Sequence, residues 1–448
     1  MTGIRMKEYS KTFCPYPWIT LMTQPSGTLS WCCVARDQLK VDNDKMPMER
    51  QNHVINMNKG DSIESAWNSN HMRDVRKQMI EGEVVKGCEH CYDLEEMGYP
   101  SFRQNYIRDW FEYSPHGDKI HEIIAKSIEN DYFVDEAPMY LDFRLGNMCN
   151  LKCRMCQPQN SSQIQKEYAK IERESPEDAQ FIKDNFTWGQ FMDELTPWQD
   201  DPEFLRQVEE WLPSVVKLYF TGGEPTIIER VYWIMEKCVE LGIAKDIELV
   251  FNSNMTNIQK RFIDLVEQFK SVLMCISVDA YGHENEYIRG ASHWSKVEEN
   301  LRTYCASDTV GSILFSPVLQ IYNILTIDKL LDFCEQLEEE YGREIFVTFL
   351  ICDYPTSLDF RNCPDNVREV AANRLEEWLG RSKILVKREQ NEQSIRATIN
   401  ALKDNRKDNG RQELMTFQKY TQLLDTKRRE SMKDALPELW ELMYGTRD

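Results

Sequence analysis

Between residues 138 and 355, short apolar runs take turns with longer stretches in which apolar positions recur every three or four residues. The runs are MYLDFRL (139–145), VVKLYF (215–220), IELVFNS (247–253), VLMCISVD (272–279), ILFSPVLQIYNIL (313–325) and EIFVTFLI (344–351). Runs of this length, rich in β-branched and aromatic residues, read as strands, and the stretches between them as helices. Six such strands predict an α/β fold whose parallel sheet closes partway into a barrel. A polar and aromatic stretch of about 160–212 is longer than one crossover helix needs and predicts an insertion. From about 356 to 448, VREVAANRLEEWLG and ALPELWELM keep apolar residues at helical spacing, which predicts a helical C-terminal segment. Residues 1–105 form a third zone, in which SIESAWNSNHMRDVRKQMIEGE predicts a helix between two groups of cysteines.

Composition narrows the classes of function. At 448 residues and 41% hydrophobic content the chain can bury a large core. Its longest apolar runs, such as SVLMCISV, fall far short of the roughly 20 residues a membrane helix needs. The opening MTGIRMKEYS has no apolar h-region, so the expected compartment is the cytoplasm and no membrane is expected as a partner. Thiols stay reduced there, so the 14 cysteines are not read as a disulfide scaffold, and the clustered ones are candidate metal or cluster ligands. A formal net charge of -20 opposes wrapping by nucleic acid. Two small basic stretches, KDNRKDNGR and DTKRRES, read as solvated helix faces.

The candidate chemistry begins at GNMCNLKCRMCQ (146–157), where Cys149, Cys153 and Cys156 follow a strand that ends in Gly-Asn. Loops at the C-terminal ends of strands are where α/β folds carry their chemistry. Three thiolates can hold three irons of a four-iron cluster and leave one iron open to a ligand that is not protein. A zinc knuckle would want a fourth Cys or His nearby, and QPQNSSQIQ offers neither.

With these residues the chain resembles the radical S-adenosylmethionine (SAM) superfamily, whose C-x3-C-x2-C loop closes the first strand of a partial (β/α)6 barrel. The resemblance continues in order along 138–355. FTGGEPT carries Gly222, Gly223 and Glu224 and matches the motif that binds the SAM amino group; glycines allow close backbone approach, and a carboxylate suits an ammonium. FNSNMTN, with Asn254, looks like the third-strand Thr-Asn-Gly motif with its glycine replaced. ISVDAYGHENEYIRG supplies Ser277 and Asp279 as implied ribose partners and Arg289 as the implied partner of the SAM carboxylate. Asn323 in QIYNIL fits the fifth-strand position. The residue before the third cysteine, often aromatic in the family, is Met155, which can pack in the same place.

Upstream, Cys14 and Cys32 bracket a C-x12-G-x4-C arrangement around Gly27, and Cys88 and Cys91 form CEHC. This is similar to the auxiliary-cluster module of the SPASM/twitch group, which in the commoner members follows the barrel and here precedes it. The resemblance implies a second 4Fe-4S cluster beside the SAM-binding one; a four-cysteine zinc site stays open from sulfur spacing alone. Cys32 and Cys33 point to opposite faces of an extended chain, so one binds, and the spacing favours Cys32. The other cysteines, Cys238, Cys275, Cys305, Cys334, Cys352 and Cys363, sit in apolar contexts as small hydrophobes. The resemblance implies an oxidoreductase that reductively cleaves SAM to a 5′-deoxyadenosyl radical and abstracts hydrogen from a peptide or small-molecule substrate. It also implies a reducing partner such as flavodoxin or ferredoxin. A redox-neutral enzyme with a structural second metal site and a metal-stapled binding protein without chemistry are the alternatives.

Overall fold

The computed structural model describes residues 9–41, 53–96, 101–187, 197–404 and 410–445; residues 188–196 of the expected insertion and 405–409 of KDNRKDNGR lie outside them. Two compact units are present. The first comprises Met1–Gly146, Glu194–Gly222 and Glu229–Leu249, the second Asn147–Asp193, Gly223–Ile228 and Val250–Asp448. The fold class is α/β with parallel strands, as the alternation of runs implies.

In the first unit, strands β1 (Thr20–Thr23), β2 (Leu29–Ser30), β3 (Tyr140–Phe143) and β4 (Lys217–Phe220) lie in the order β2–β1–β3–β4. β1 and β2 are antiparallel, whereas β1 and β4 both run parallel to β3, with Tyr140 opposite Thr20 and Lys217. β1 was not among the expected strands. All four of its residues are buried, so no alternation marks it, and a strand from the N-terminal zone joins the sheet of the first expected strand. Trp18, Leu21, Met22, Leu141, Phe143 and Phe220 fill the core beside it.

The helix expected over 62–83 is two helices, Ile63–Trp67 and Asn70–Glu81. Ser62 and Ser69 each cap one: the Ser69 hydroxyl accepts from the Met72 amide at 3.2 Å and so starts a new helix where the apolar spacing alone suggested continuity. The break is fastened by buried Arg76, whose guanidinium donates to the carbonyls of Pro17 (2.8 Å) and Trp67 (2.9 Å).

In the second unit, β5 (Glu248–Ser253, inside this unit from Val250), β6 (Ser271–Ile276), β7 (Ile313–Phe315) and β8 (Ile345–Val347) follow one another in that order. β7 is parallel to both neighbours, with Ile313 opposite Met274 and Ile345. The long run 313–325 shortens to β7 and a two-residue strand, Val318–Leu319, because Pro317 has no amide to donate and Gln320–Asn323 turns (Asn323 N to Gln320 O, 3.2 Å). The outer edge of β8 is closed by side chains of the helix Glu389–Lys403: the Val347 amide donates to Asn391 and the Phe349 amide to Ser394, both at 2.8 Å. The C-terminal segment is helical over Asp365–Arg381, Glu389–Lys403, Gly410–Arg428 and Pro437–Tyr444. Among the described residues, no helix is long and apolar enough to cross a membrane.

Candidate active site

The three-cysteine loop belongs to the second unit and is shaped by hydroxyls and amides of the segment that follows it. The Asn147 side chain donates to Pro158 O (3.0 Å) and Gln165 Oε1 (2.9 Å), the Cys149 amide to Ser162 Oγ (3.3 Å), and the Ser161 hydroxyl to Leu151 O (2.8 Å). Cys156 N closes a turn onto Cys153 O at 3.0 Å, and Lys152–Cys153 pairs antiparallel with Arg289–Gly290. Cys149 and Cys153 are buried and Cys156 is half-buried, with Leu151 and Met155 packed among them. Burial pushes the Cys149 thiol up to about 12 and raises those of Cys153 and Cys156 as well.

The loop after β4 rests directly on the cysteine loop. Gly223 has φ +57°, and a Cβ there would stand 2.2 Å from Met148 O, so only glycine fits; the next amide, of Glu224, donates to the same carbonyl at 2.8 Å. Glu224 is buried. Its Oε1 accepts from Thr226 N (3.2 Å), Thr226 Oγ1 (2.7 Å) and Ser253 Oγ (2.9 Å), and its Oε2 from Asn254 N (2.7 Å). The carboxylate thus ties the segment Gly223–Ile228 to Ser253 and Asn254 at the end of β5. Asn254 in turn donates to Asn150 Oδ1 (3.1 Å), on the cysteine loop. Met255, at the position of the missing glycine, has φ +58° and is fully buried, its carbonyl accepting from Asn300 Nδ2 at 2.7 Å. The left-handed conformation is kept although the glycine is not.

Asp279 and Arg289 form a buried ion pair (Oδ2 to Nε, 2.8 Å), and the guanidinium also reaches Cys153 Sγ at 3.9 Å. Asp279 Oδ1 accepts from the Val318 amide at 2.9 Å. Asn323 donates to Asp279 O and Val318 O, both at 2.9 Å, and accepts from Gln320 N at 2.9 Å, so its amide shapes the backbone around Asp279. Ser277 is half-buried just beyond β6, its amide on Ser253 O at 2.8 Å. Gly222 (φ +76°) lies in the first unit, where a Cβ would meet Arg144 Cβ at 2.9 Å. One unit therefore brings together Cys149, Cys153, Cys156, Gly223, Glu224, Asn254, Ser277, Asp279, Arg289 and Asn323.

In the first unit, Cys14, Cys32, Cys88 and Cys91 line one cleft with Trp31 and Arg103; Cys33 is not on its wall. Cys33 instead shares a hydrogen bond with the Tyr106 hydroxyl (3.2 Å). Cys91 N turns back onto Cys88 O at 3.2 Å, and Trp31 Nε1 donates to Cys88 Sγ at 3.4 Å. Arg103 is held by Glu95 and by Phe13 O (2.8 Å). Gly27 has φ +80°, with Asn56 Oδ1 only 2.9 Å from where a Cβ would be. Burial raises the Cys88 thiol to about 11 and that of Cys14 further; of the adjacent pair, a hydrogen bond with Cys33 and burial raise Cys32, while Cys33 is lowered by that bond and then by Tyr106.

The donor sets fit iron–sulfur clusters: three thiols in one loop, and four around one cleft. Among the described residues, no three His, Cys, Asp or Glu side chains converge on a point that would hold a single metal ion. A cubane holds each thiolate on a different iron and needs no such convergence. Next to Cys156, both amide atoms of Gln157 are buried without a protein partner, as groups awaiting a ligand would be.

Sequence reasoning missed the residues that hold the cysteine loop from outside. DTKRRES was expected to be a solvated face, yet Arg428 is 2% exposed and paired with Glu167 at 2.6 Å. The signal available was the four-residue spacing of Tyr420, Leu424 and Arg428, which puts them on one face of a helix.

Residues 143–334 match the model of the Radical SAM superfamily, a segment under half the length of the chain that holds the three-cysteine loop and the strand-end residues around it. Among solved structures, Streptococcus suis SuiB bound to S-adenosylmethionine is similar at 15% identity, over 66% of this chain and 59% of that one, with a TM-score of 0.32. SuiB bound to the precursor peptide SuiA is similar at 14% identity, over 73% and 66%, with a TM-score of 0.36. Native anSMEcpe with bound AdoMet and Cp18Cys peptide is similar at 15% identity, over 54% and 59%, with a TM-score of 0.33. The chain spans less than two thirds of the length of each, and at these scores nothing about its function is inferred from them. No curated protein matches significantly.

Proposed function

We propose that the chain is a radical SAM enzyme, with Cys149, Cys153 and Cys156 holding a 4Fe-4S cluster beside S-adenosylmethionine and Cys14, Cys32, Cys88 and Cys91 holding an auxiliary 4Fe-4S cluster. The observation that carries the reading is the Met148 carbonyl, which receives the Glu224 amide at 2.8 Å and leaves no room for a side chain at Gly223. A cysteine loop is thereby fastened to the strand-end motif that the family uses for SAM. When bound, such groups supply the electron that cleaves SAM to methionine and a 5′-deoxyadenosyl radical, and a sink for the electron an oxidised substrate gives up.

The chain's own residues position and exclude. Gly223 lets the backbone approach, Glu224 holds the end of β5 and Asn254 fastens it to the loop, and the Asp279–Arg289 pair keeps a cation at Cys153. Cys149 and Cys153 are themselves shielded from water, and a radical reaction requires a site from which water is excluded. In the first unit, Cys14, Cys32, Cys88 and Cys91 would supply all four protein ligands of a cubane, which suits electron acceptance better than substrate binding. The reaction we assign is hydrogen abstraction from a peptide or small molecule with net two-electron oxidation, fed by a reductant such as flavodoxin or ferredoxin in the cytoplasm. Iron and sulfide analysis after anaerobic purification tests the two-cluster content: about eight irons per chain are expected, and about four with stoichiometric zinc would replace the auxiliary cluster by a zinc site.

A further inference from the structure

Arg154, between the second and third cysteines of the loop, is fully buried. Its amide donates to Ile288 O (2.9 Å), and its carbonyl accepts from the Tyr420 hydroxyl (2.7 Å). The guanidinium donates from Nε to Tyr287 O (3.0 Å) and from Nη2 to Asp425 Oδ1 and Glu430 Oε2, both at 2.6 Å, and lies 3.7 Å from the Tyr287 ring centroid. Asp425 is itself fixed, accepting from the Tyr287 hydroxyl (2.9 Å) and from the Met432 amide (2.7 Å). Eight residues past Tyr420, Arg428 grips Glu167 at 3.0 and 2.6 Å; Glu167 stands on the helix Ser162–Glu174, whose first residue holds the Cys149 amide.

A buried ion pair is weak evidence for stability, because a well-packed apolar side chain of the same volume does as well or better. What so many directional ties supply is register. The amide and Nε hold Arg154 to Tyr287 and Ile288, while its carbonyl and Nη2 hold it to Tyr420 and Asp425 on the helix Gly410–Arg428 and to Glu430 just past its end. We propose that Arg154 is a positioning residue, and that it and Tyr420 latch the three-cysteine loop to the C-terminal helix and set the spacing of its thiols. This rests on reading Cys149, Cys153 and Cys156 as cluster ligands.

The test uses the full chain in two forms, with Tyr420→Phe, Arg154→Lys and Arg154→Gln. In the chain stripped of metal by a chelator, the alkylation rates of Cys149, Cys153 and Cys156 by iodoacetamide are read by mass spectrometry, with Cys14, Cys32, Cys88 and Cys91 as internal reference. Losing one hydrogen bond to the loop should raise the rates at the three cysteines roughly five-fold in Tyr420→Phe and leave the reference rates alone. Arg154→Gln should exceed Arg154→Lys, because lysine restores one ion pair. In the reconstituted, reduced chain, Tyr420→Phe should alter the electron paramagnetic resonance spectrum of the loop's cluster, which a remote packing role would leave as it is. Unchanged alkylation and an unchanged spectrum in Tyr420→Phe overturn the latch. If an Arg154 variant fails to fold, Tyr420→Phe decides alone. The alkylation arm needs no cluster, so it judges the latch even if iron analysis of wild type against a Cys149, Cys153 and Cys156 triple alanine variant shows that the loop binds no iron.

Discussion

The carbonyl oxygen of Met148 stands 2.2 Å from the point where a Cβ on Gly223 would lie, so the cysteine loop and the loop after β4 meet backbone to backbone. Gly223→Ala cannot be absorbed by a rotamer change, because the obstacle is main chain. The left-handed φ of +57° adds about 1–2 kcal/mol of strain for any other residue. The variant should lose most of the iron held by Cys149, Cys153 and Cys156 while keeping that of the first unit. Full iron content in Gly223→Ala would show that the two loops move independently.

Met255 sets two effects against each other. Glycine there would relieve about 1–2 kcal/mol of left-handed strain. It would also empty a fully buried methionine site, and truncation of such side chains costs about 2–5 kcal/mol. Met255→Gly is therefore expected to lower the thermal midpoint of the full chain, despite restoring the family residue. A rise in the midpoint would mean that backbone strain outweighs packing at this site.

Glu224→Gln exchanges an acceptor of four hydrogen bonds for a group that can accept at only one of its two heavy atoms, leaving at least one buried donor unpaired. The expected loss is about 1–3 kcal/mol of stability, together with a roughly ten-fold weaker SAM affinity. Arg289→Ala leaves Asp279 buried and uncompensated, which costs about 3–5 kcal/mol. Calorimetric unfolding and SAM titration check both. A Glu224→Gln variant with wild-type stability would show that Glu224 does not brace the end of β5.

Much of this was legible in the sequence, and what was not has physical causes. Six runs gave the strands because apolar, β-branched segments of that length have few other uses, and the cysteine spacing gave the loop. β1 was hidden because a strand buried at every position shows no alternation. The interruption at Ser69 was hidden because apolar spacing continues across a helix boundary that one capping hydroxyl creates. Arg428 looked solvated because its partner, Glu167, is 261 positions away, and a charged residue shows in sequence neither its burial nor its distant partner. The hydrogen bonds of Asn323 to the backbone around Asp279 are a tertiary property without a local pattern.

Cys33 provides a contrast with its neighbour. Cys32 lines the cleft shared with Cys14, Cys88 and Cys91, while Cys33 faces the Tyr106 hydroxyl. Cys33→Ala should keep the full iron content and Cys32→Ala should lose the iron of the first unit. The reverse pattern would exchange the two in the ligand set.

The central claim is that Cys149, Cys153 and Cys156 carry the reductive cleavage of SAM. Its most direct measurement is 5′-deoxyadenosine formed anaerobically from SAM and a strong reductant, in wild type and in the Cys149→Ala, Cys153→Ala, Cys156→Ala triple variant. Wild type should form 5′-deoxyadenosine, and the triple variant should form none while retaining the iron bound by Cys14, Cys32, Cys88 and Cys91. Cleavage that persists in the triple variant would contradict the account.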